Sequence, residues 1–479
     1  MKGSKSLLAL SFAVACAAII FSLAVRAQAQ NVSFIARLTS SQRAATGVIQ
    51  ATDGNFYGTA SGGAYDKGQV FRMTPSGEIS TLYSFCSQPK CTDGEWGTTP
   101  ILGSDGNLYG VSDAGGNNFA GQGAGTFWKV TLDGKFTTLY TFCPSFGCAD
   151  GVSPNGIMQA SDGNFYGTTP GWGKFYAGTI FQISPTGQFN LLYTFCSLAN
   201  CADGGYPGFP PIQGSDGNFY GVTSTGGLGK GGVIYELTPS GTYSVLYNFC
   251  NNEGHGGCPD GTKPTTIVQD ANGNFFGTTE GGGLYYAEAG TVFEFSSTHQ
   301  YSVLHRFDKT DGDSPSAPLT LASDGNFYAT ALGGDAASEG TIFEITPAGE
   351  FTSLYDFASP QAYDPYGPLF QATDGDFYGA TAYGPPPCCH GTIFKLTNGL
   401  SPLVETVPVA GKVGQSVIIL GYGLTGSTSV TFNGVAAAFT VESDTYIRAT
   451  VPTGATTGTV SVDTPAGTLN SNPQFLVTK

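Results

Sequence analysis

One short stretch, Asp-Gly-Asn-Phe-Tyr-Gly, limits what this chain can fold into more than any other feature, because it returns seven times. Copies begin at Asp53, Asp105, Asp162, Asp216, Asn272, Asp324 and Asp374; Gly follows each, then Asn or Asp, then an aromatic pair or Leu-Tyr. The spacing runs from 50 to 57 residues. A unit of that length cannot bury an apolar face alone, so the fold must be a stacked or closed array in which each unit packs on its neighbours.

The unit from Asn155 to Cys196 contains four strand-length segments, GIMQA, NFYGTT, GTIFQI and FNLLYTF. Ser-Asp-Gly-Asn joins the first two and Pro-Thr-Gly the last two. Both are tight-turn compositions, with Asp-Gly expected to supply the positive backbone angles. The repeated Asp therefore reads as a turn residue, since a catalytic carboxylate is needed once and a hairpin in every unit. Seven units of four antiparallel strands predict an all-β fold, a seven-bladed β-propeller over residues 30–399. The seventh unit lacks a fourth strand after its segment Gly391 to Gly399. The segment VSFIARL, Val32 to Leu38, has the character of one and is expected to complete blade seven and lock the ring.

Of 479 residues, 71 are Gly and only 11% are charged, which favours strands and tight turns over surface helices. Lys2 and Lys5, an apolar run from Leu7 to Val25 and the site Ala27-Gln28-Ala29 predict a signal peptide over 1–29. The mature chain is then exported to the periplasm, the cell surface or the medium. It retains 16 basic against 35 acidic residues. That balance argues against nucleic acid and anionic membrane surfaces as partners. The remaining apolar runs are strand-length, so no membrane insertion is expected after cleavage.

Eight cysteines form local pairs, Cys86/Cys91, Cys143/Cys148, Cys196/Cys201 and Cys250/Cys258, read as disulfides in an exported chain. A zinc reading lacks further ligands, because the four histidines share no motif. Cys388 and Cys389, in PPPCCHG, are expected to form a vicinal disulfide; a metal site with His390 and pairing with another chain are the alternatives.

The unit DGNFYGTT…GTIF, followed by a Pro-Ser-Gly-type turn and LYTF, resembles the GloVer tandem repeat of exported bacterial proteins, over roughly Val32 to Gly399. That resemblance implies no particular activity. Residues 401–479 resemble an IPT/TIG domain, an immunoglobulin-like sandwich, through Gly414 before a β-rich run, the turn glycines Gly421 and Gly423, VTFNG, IRATVP and a closing FLVT. Alternation in SVIIL, SVTF and TVSVDT gives the same two-sheet reading independently. In that family such domains serve mostly as spacers or protein-binding modules.

No nucleophile elbow, zinc-protease helix or phosphate loop stands in a fitting context, and no cofactor motif is present. DKTDGD, Asp308 to Asp313, has the acidity of a calcium loop without the full ligand series. Glu280 and Glu288 are the nearest candidates for glycosidase carboxylates and read more simply as solvated loop charges. The long loops between second and third strands and between units carry the length variation, the cysteine pairs and many aromatics. A ligand-binding face is therefore expected there, formed by Trp96, Trp172, Phe175, Tyr176, Tyr285 and Tyr286, for a polysaccharide or a surface protein. An exported carbohydrate-active enzyme and a structural envelope protein are the competing readings.

Overall fold

The structure, a computed structural model, describes residues 31–116, 123–251, 257–284, 288–333, 339–359, 362–365, 367–385 and 390–478. The signal segment 1–29, Tyr285, Tyr286, Cys388 and Cys389 lie outside the described residues. The chain is all-β. Seven antiparallel sheets built on a four-strand plan succeed one another, and a two-sheet sandwich follows. The third sheet shows the plan: Ile157–Gln159, Phe165–Thr169, Thr179–Ile183 and Phe189–Thr194 pair in chain order.

Each hairpin between first and second strands is a three-residue loop. In the third sheet Gly163 N–H donates to Ala160 O and Ala160 N–H to Asn164 O. Only the glycine is left-handed, with φ from 75° to 92° across the seven copies. This corrects the expectation that Asp-Gly together supplies the positive angles: it is a type I turn closed by a glycine bulge. The Asp has another task. Its Oδ1 accepts the N–H two residues on, at 2.9–3.1 Å, and its Oδ2 accepts the hydroxyl of the Tyr four residues on, at 2.7–2.9 Å, in six units. Burial first, then the nearby carboxylate, raises the pKa of these tyrosines, so the hydroxyl stays a donor. The unit with Asn272 in place of Asp has Phe276 in place of Tyr, so donor and acceptor are lost together.

Apolar clusters fill the junctions between consecutive sheets, and one cluster joins the first to the seventh through Val48, Phe56 and Phe71 against Tyr378 and Ile393. The sheets therefore form a closed, propeller-like ring. A polar ladder repeats the closure. The Gln ending a first strand accepts a turn N–H from the preceding sheet in Ser104–Gln159, Ser161–Gln213, Ser215–Gln269 and Ser323–Gln371. Thr373 N–H donates to Gln50 in the same way, joining seventh sheet to first. The N-terminal strand Asn31–Arg37 pairs antiparallel with Thr392–Thr397 at the outer edge of the seventh sheet.

The C-terminal sandwich packs Glu405–Val407, Ser416–Leu420, Tyr446–Thr450 and Phe439–Val441 on a second four-stranded sheet, around Val417, Ile419, Phe432, Ile447 and Val462. It sits against the hairpin-turn face of the ring. Val407, Ile418 and Leu420 enter the cluster of the first two sheets beside Leu102, Thr445 Oγ1 donates to Thr52 O (2.5 Å), and Asn472 Nδ2 donates to Leu321 O (2.7 Å). Leu102 and Leu321 are the two ring positions where the ladder Gln is replaced by Leu. The repeat departs from its own pattern where the sandwich is seated.

Candidate ligand-binding face

Opposite the hairpin turns lie the longer loops. In the third sheet residues 170–178 connect Phe165–Thr169 to Thr179–Ile183, and the loop is tied down by its own backbone: Gly178 N–H donates to Trp172 O, Tyr176 N–H to Gly173 O, and Gly173 N–H to Cys148 O of the neighbouring loop. Its rings do not fold into the core. Trp172 is 39% exposed, Phe175 38% and Tyr176 64%. Trp172 and Tyr176 lie 5.6 Å apart between centroids, tilted by 58°, and Lys174 Nζ stands 5.2 Å over Phe175.

The neighbouring loops add two rings that the sequence reading missed. Tyr206 is exposed, and its N–H donates to Ala177 O at the end of the Trp172 loop. Phe146 is exposed inside the loop closed by Cys143 and Cys148, against which Gly173 is bonded. Signals for both were present: Phe146 stands midway in CPSFGC, and Tyr206 precedes its repeat Asp by almost the same distance as Trp96 does. Trp96 itself is exposed at the junction of the first and second sheets, under Lys67 Nζ at 4.7 Å, with Lys67 paired to Glu95 at 2.7 Å. Trp172, Phe175 and Tyr176 are thus brought together, and Trp96 occupies another junction.

Four disulfides, Cys86–Cys91, Cys143–Cys148, Cys196–Cys201 and Cys250–Cys258, close loops on this face. Beside each stands an Asp that anchors its loop. Asp93, Asp150, Asp203 and Asp260 accept from Tyr83, Tyr140, Tyr193 and Tyr247 at 2.6–2.9 Å and from a loop N–H. The acidic loop at Asp308–Asp313 does the same work without cysteines. Asp311 Oδ2 lies 2.8 Å from His305 Nε2, Asp311 Oδ1 accepts Asp308 N–H, and Asp308 holds Thr310. His305 stacks on Phe351 at 4.0 Å, in the place where Tyr193 stacks on Tyr243. Among the described residues, the group Cys86, Cys91 and Glu95 has the spacing of metal ligands, but its sulfurs are joined to each other and its carboxylate to Lys67.

Two clefts lie on the opposite, sandwich-bearing side. One, of about 550 Å³, runs between Asp162, Gln213 and Asp216 of the ring and Lys412 and Thr478 of the sandwich. Both aspartates already accept from Tyr166 and Tyr220. The other, of about 290 Å³, is lined by the first strands of the fifth to seventh sheets, including Leu319, Leu321 and Leu369, and by Glu405 and Asn472 of the sandwich. Glu405 has one carboxylate oxygen enclosed without a partner, and burial alone pushes its pKa up to about 8.

Residues 13–211 and 206–435 match the model of the Gloeobacter/Verrucomicrobia repeat, and residues 402–477 match the IPT/TIG domain. No curated protein matches the chain. Similar solved structures include a gluconolactonase from Xanthomonas campestris (11% identity, 78% of this chain and 92% of that one, TM-score 0.39). They also include a luciferin-regenerating enzyme (10% identity, 78% and 97%, TM-score 0.39) and a protein of unknown function from Bacteroides thetaiotaomicron (15% identity, 77% and 76%, TM-score 0.39). At these scores the likenesses carry no argument about what this chain does. Among the described residues no helix is long and apolar enough to cross a membrane.

Proposed function

From a chain that belongs to the Gloeobacter/Verrucomicrobia repeat family and carries an IPT/TIG domain after its repeats, we infer an exported binding protein whose long-loop face takes up an extended, neutral polysaccharide. Four disulfides fit an oxidising compartment. One observation supports binding above all: Trp172, Phe175 and Tyr176 stay exposed together on one loop that its own backbone hydrogen bonds tie down, although the strand aromatics of the same sheet, Phe165, Tyr166 and Phe181, are buried. Flat aromatic faces stack on sugar rings, and the acidic balance of the chain disfavours anionic polymers.

The carboxylates beside the loops serve as anchors for Tyr or His partners, which favours binding over hydrolysis at this face. The test is retention on insoluble neutral polysaccharides by the parent and by a Trp172→Ala, Tyr176→Ala variant. Both positions are left-handed, with φ of 63° and 60°, so Ala adds no backbone strain there. Retention lost with an unchanged melting temperature supports the reading; a variant retained as well as the parent contradicts it.

A further inference from the structure

At six of the seven junctions the loop face repeats one backbone frame. A glycine with positive φ precedes a third strand: Gly68, Gly125, Gly178, Gly232, Gly290 and Gly340. The carbonyl just before it accepts, at 2.8–2.9 Å, the N–H of a residue that enters the next sheet's first strand. Those donors are Trp96, Ser153, Tyr206, Lys263, Ser314 and Asp364, all left-handed with φ of 50–55°. A buried proline follows five of them. Four of these prolines leave no room for a side chain on the facing glycine: a Cβ on Gly125, Gly178, Gly232 or Gly290 would meet the proline Cδ at 2.8–2.9 Å. At the seventh junction Ala44 faces Gly391 and is not left-handed.

The frame uses only the N–H and the proline, and it needs no side chain at the left-handed position. Glycine is the residue that adopts this conformation without strain. Yet in a chain with 71 glycines none of the six positions holds one, and they carry Trp, Ser, Tyr, Lys, Ser and Asp. Constant backbone with changing side chains is the pattern of a scaffold that presents a reading edge. The six stand at the loop-face ends of the first strands, of which that of the first sheet contacts those of the second and seventh, and Trp96, Tyr206 and Lys263 are exposed. Side chains held in strained conformations by an over-determined frame are characteristic of ligand contacts.

We propose that these six left-handed residues, one per junction, form the ring that selects the ligand, so that an extended polysaccharide lies across the ends of the first strands. Trp96 and Tyr206 supply stacking faces, Ser153 a hydroxyl partner between them, and Lys263 and Asp364 polar contacts on the far side. The Trp172 loop extends the Tyr206 end of this ring. The proposal rests on the binding reading given above.

The chain supplies its own neutral replacement, because two junctions already carry Ser in the same frame. Trp96→Ser, Tyr206→Ser, Lys263→Ser and Asp364→Ser are each compared with the parent for binding to β-glucan, xylan, mannan and starch, with melting temperatures measured in parallel. Expected are an affinity loss of about tenfold for Trp96→Ser and Tyr206→Ser, a changed order of preference among the polymers for Lys263→Ser and Asp364→Ser, and an unchanged melting temperature. If all four bind like the parent while Trp172→Ala, Tyr176→Ala does not, the ring is overturned and the binding reading stands. If the Ser variants lose stability along with binding, the positions are structural and the proposal fails. A parent that binds none of the polymers overturns both.

Discussion

Glu405→Gln should stabilise this protein at pH 8 and leave it nearly unchanged at pH 4.5. The carboxyl borders the cleft between the sandwich and the first strands of the fifth to seventh sheets, with one oxygen enclosed and unpartnered. Burial alone moves its pKa from 4.5 to about 8. A raised folded-state pKa means that between those values the unfolded chain releases a proton the folded chain keeps. Glu405 therefore costs nothing below pH 4.5, and stability falls as pH rises, until the folded carboxyl also ionises near pH 8. At 1.36 kcal/mol per unit, the shift sets a ceiling of roughly 5 kcal/mol on that loss. Gln keeps the shape and cannot ionise. Urea unfolding of parent and variant from pH 4.5 to pH 9 isolates the contribution of Glu405, because every other titrating group cancels in the difference. The variant should gain progressively above pH 5 and level off near pH 8. A difference that stays constant with pH would refute the idea that an unpaired, buried carboxyl lies at the sandwich–ring junction.

Two further outcomes follow from the ring. Asp324→Ala should cost about 1–3 kcal/mol in chemical denaturation, because it strands the buried Tyr328 hydroxyl and a turn N–H. Asp324→Asn with Tyr328→Phe, the combination found at Asn272 and Phe276, should cost less than the single change, and a double variant worse than Asp324→Ala would defeat the pairing argument. Deleting residues 31–38 should open the outer edge of the seventh sheet and remove the buried Ala36 and Leu38, costing several kcal/mol and favouring aggregation by light scattering. A monomer melting like the parent would show that the strand does not hold the ring closed.

What the sequence disclosed and withheld follows from the range of the interactions involved. The strands and hairpins were legible because their causes are local: alternation sets the strand, and Gly163 and its six counterparts set the turn. The partnership of Asp with Tyr was also legible, since Asn272 and Phe276 change together, but it shows only when the units are compared as a set. The seat of the sandwich was not. Leu102 and Leu321 look like conservative noise in a repeat until Ile418 and Asn472 are placed against them. Trp172, Phe175 and Tyr176 were identifiable as loop aromatics. That Phe146 and Tyr206 stand next to them depends on how consecutive sheets bring their loops together, which no single unit encodes.

The binding claim is tested most directly by the tryptophans themselves. The chain has three: Trp96 and Trp172 are 41% and 39% exposed on the loop face, and Trp128 is fully buried. Intrinsic emission and acrylamide quenching are followed while soluble β-glucan, xylan, mannan or starch is titrated in. At least one polymer should shield the exposed tryptophans, lowering quenching, and a Trp96→Phe, Trp172→Phe variant, left with Trp128 alone, should give no response. Quenching of the parent that stays the same with every polymer would contradict the binding claim.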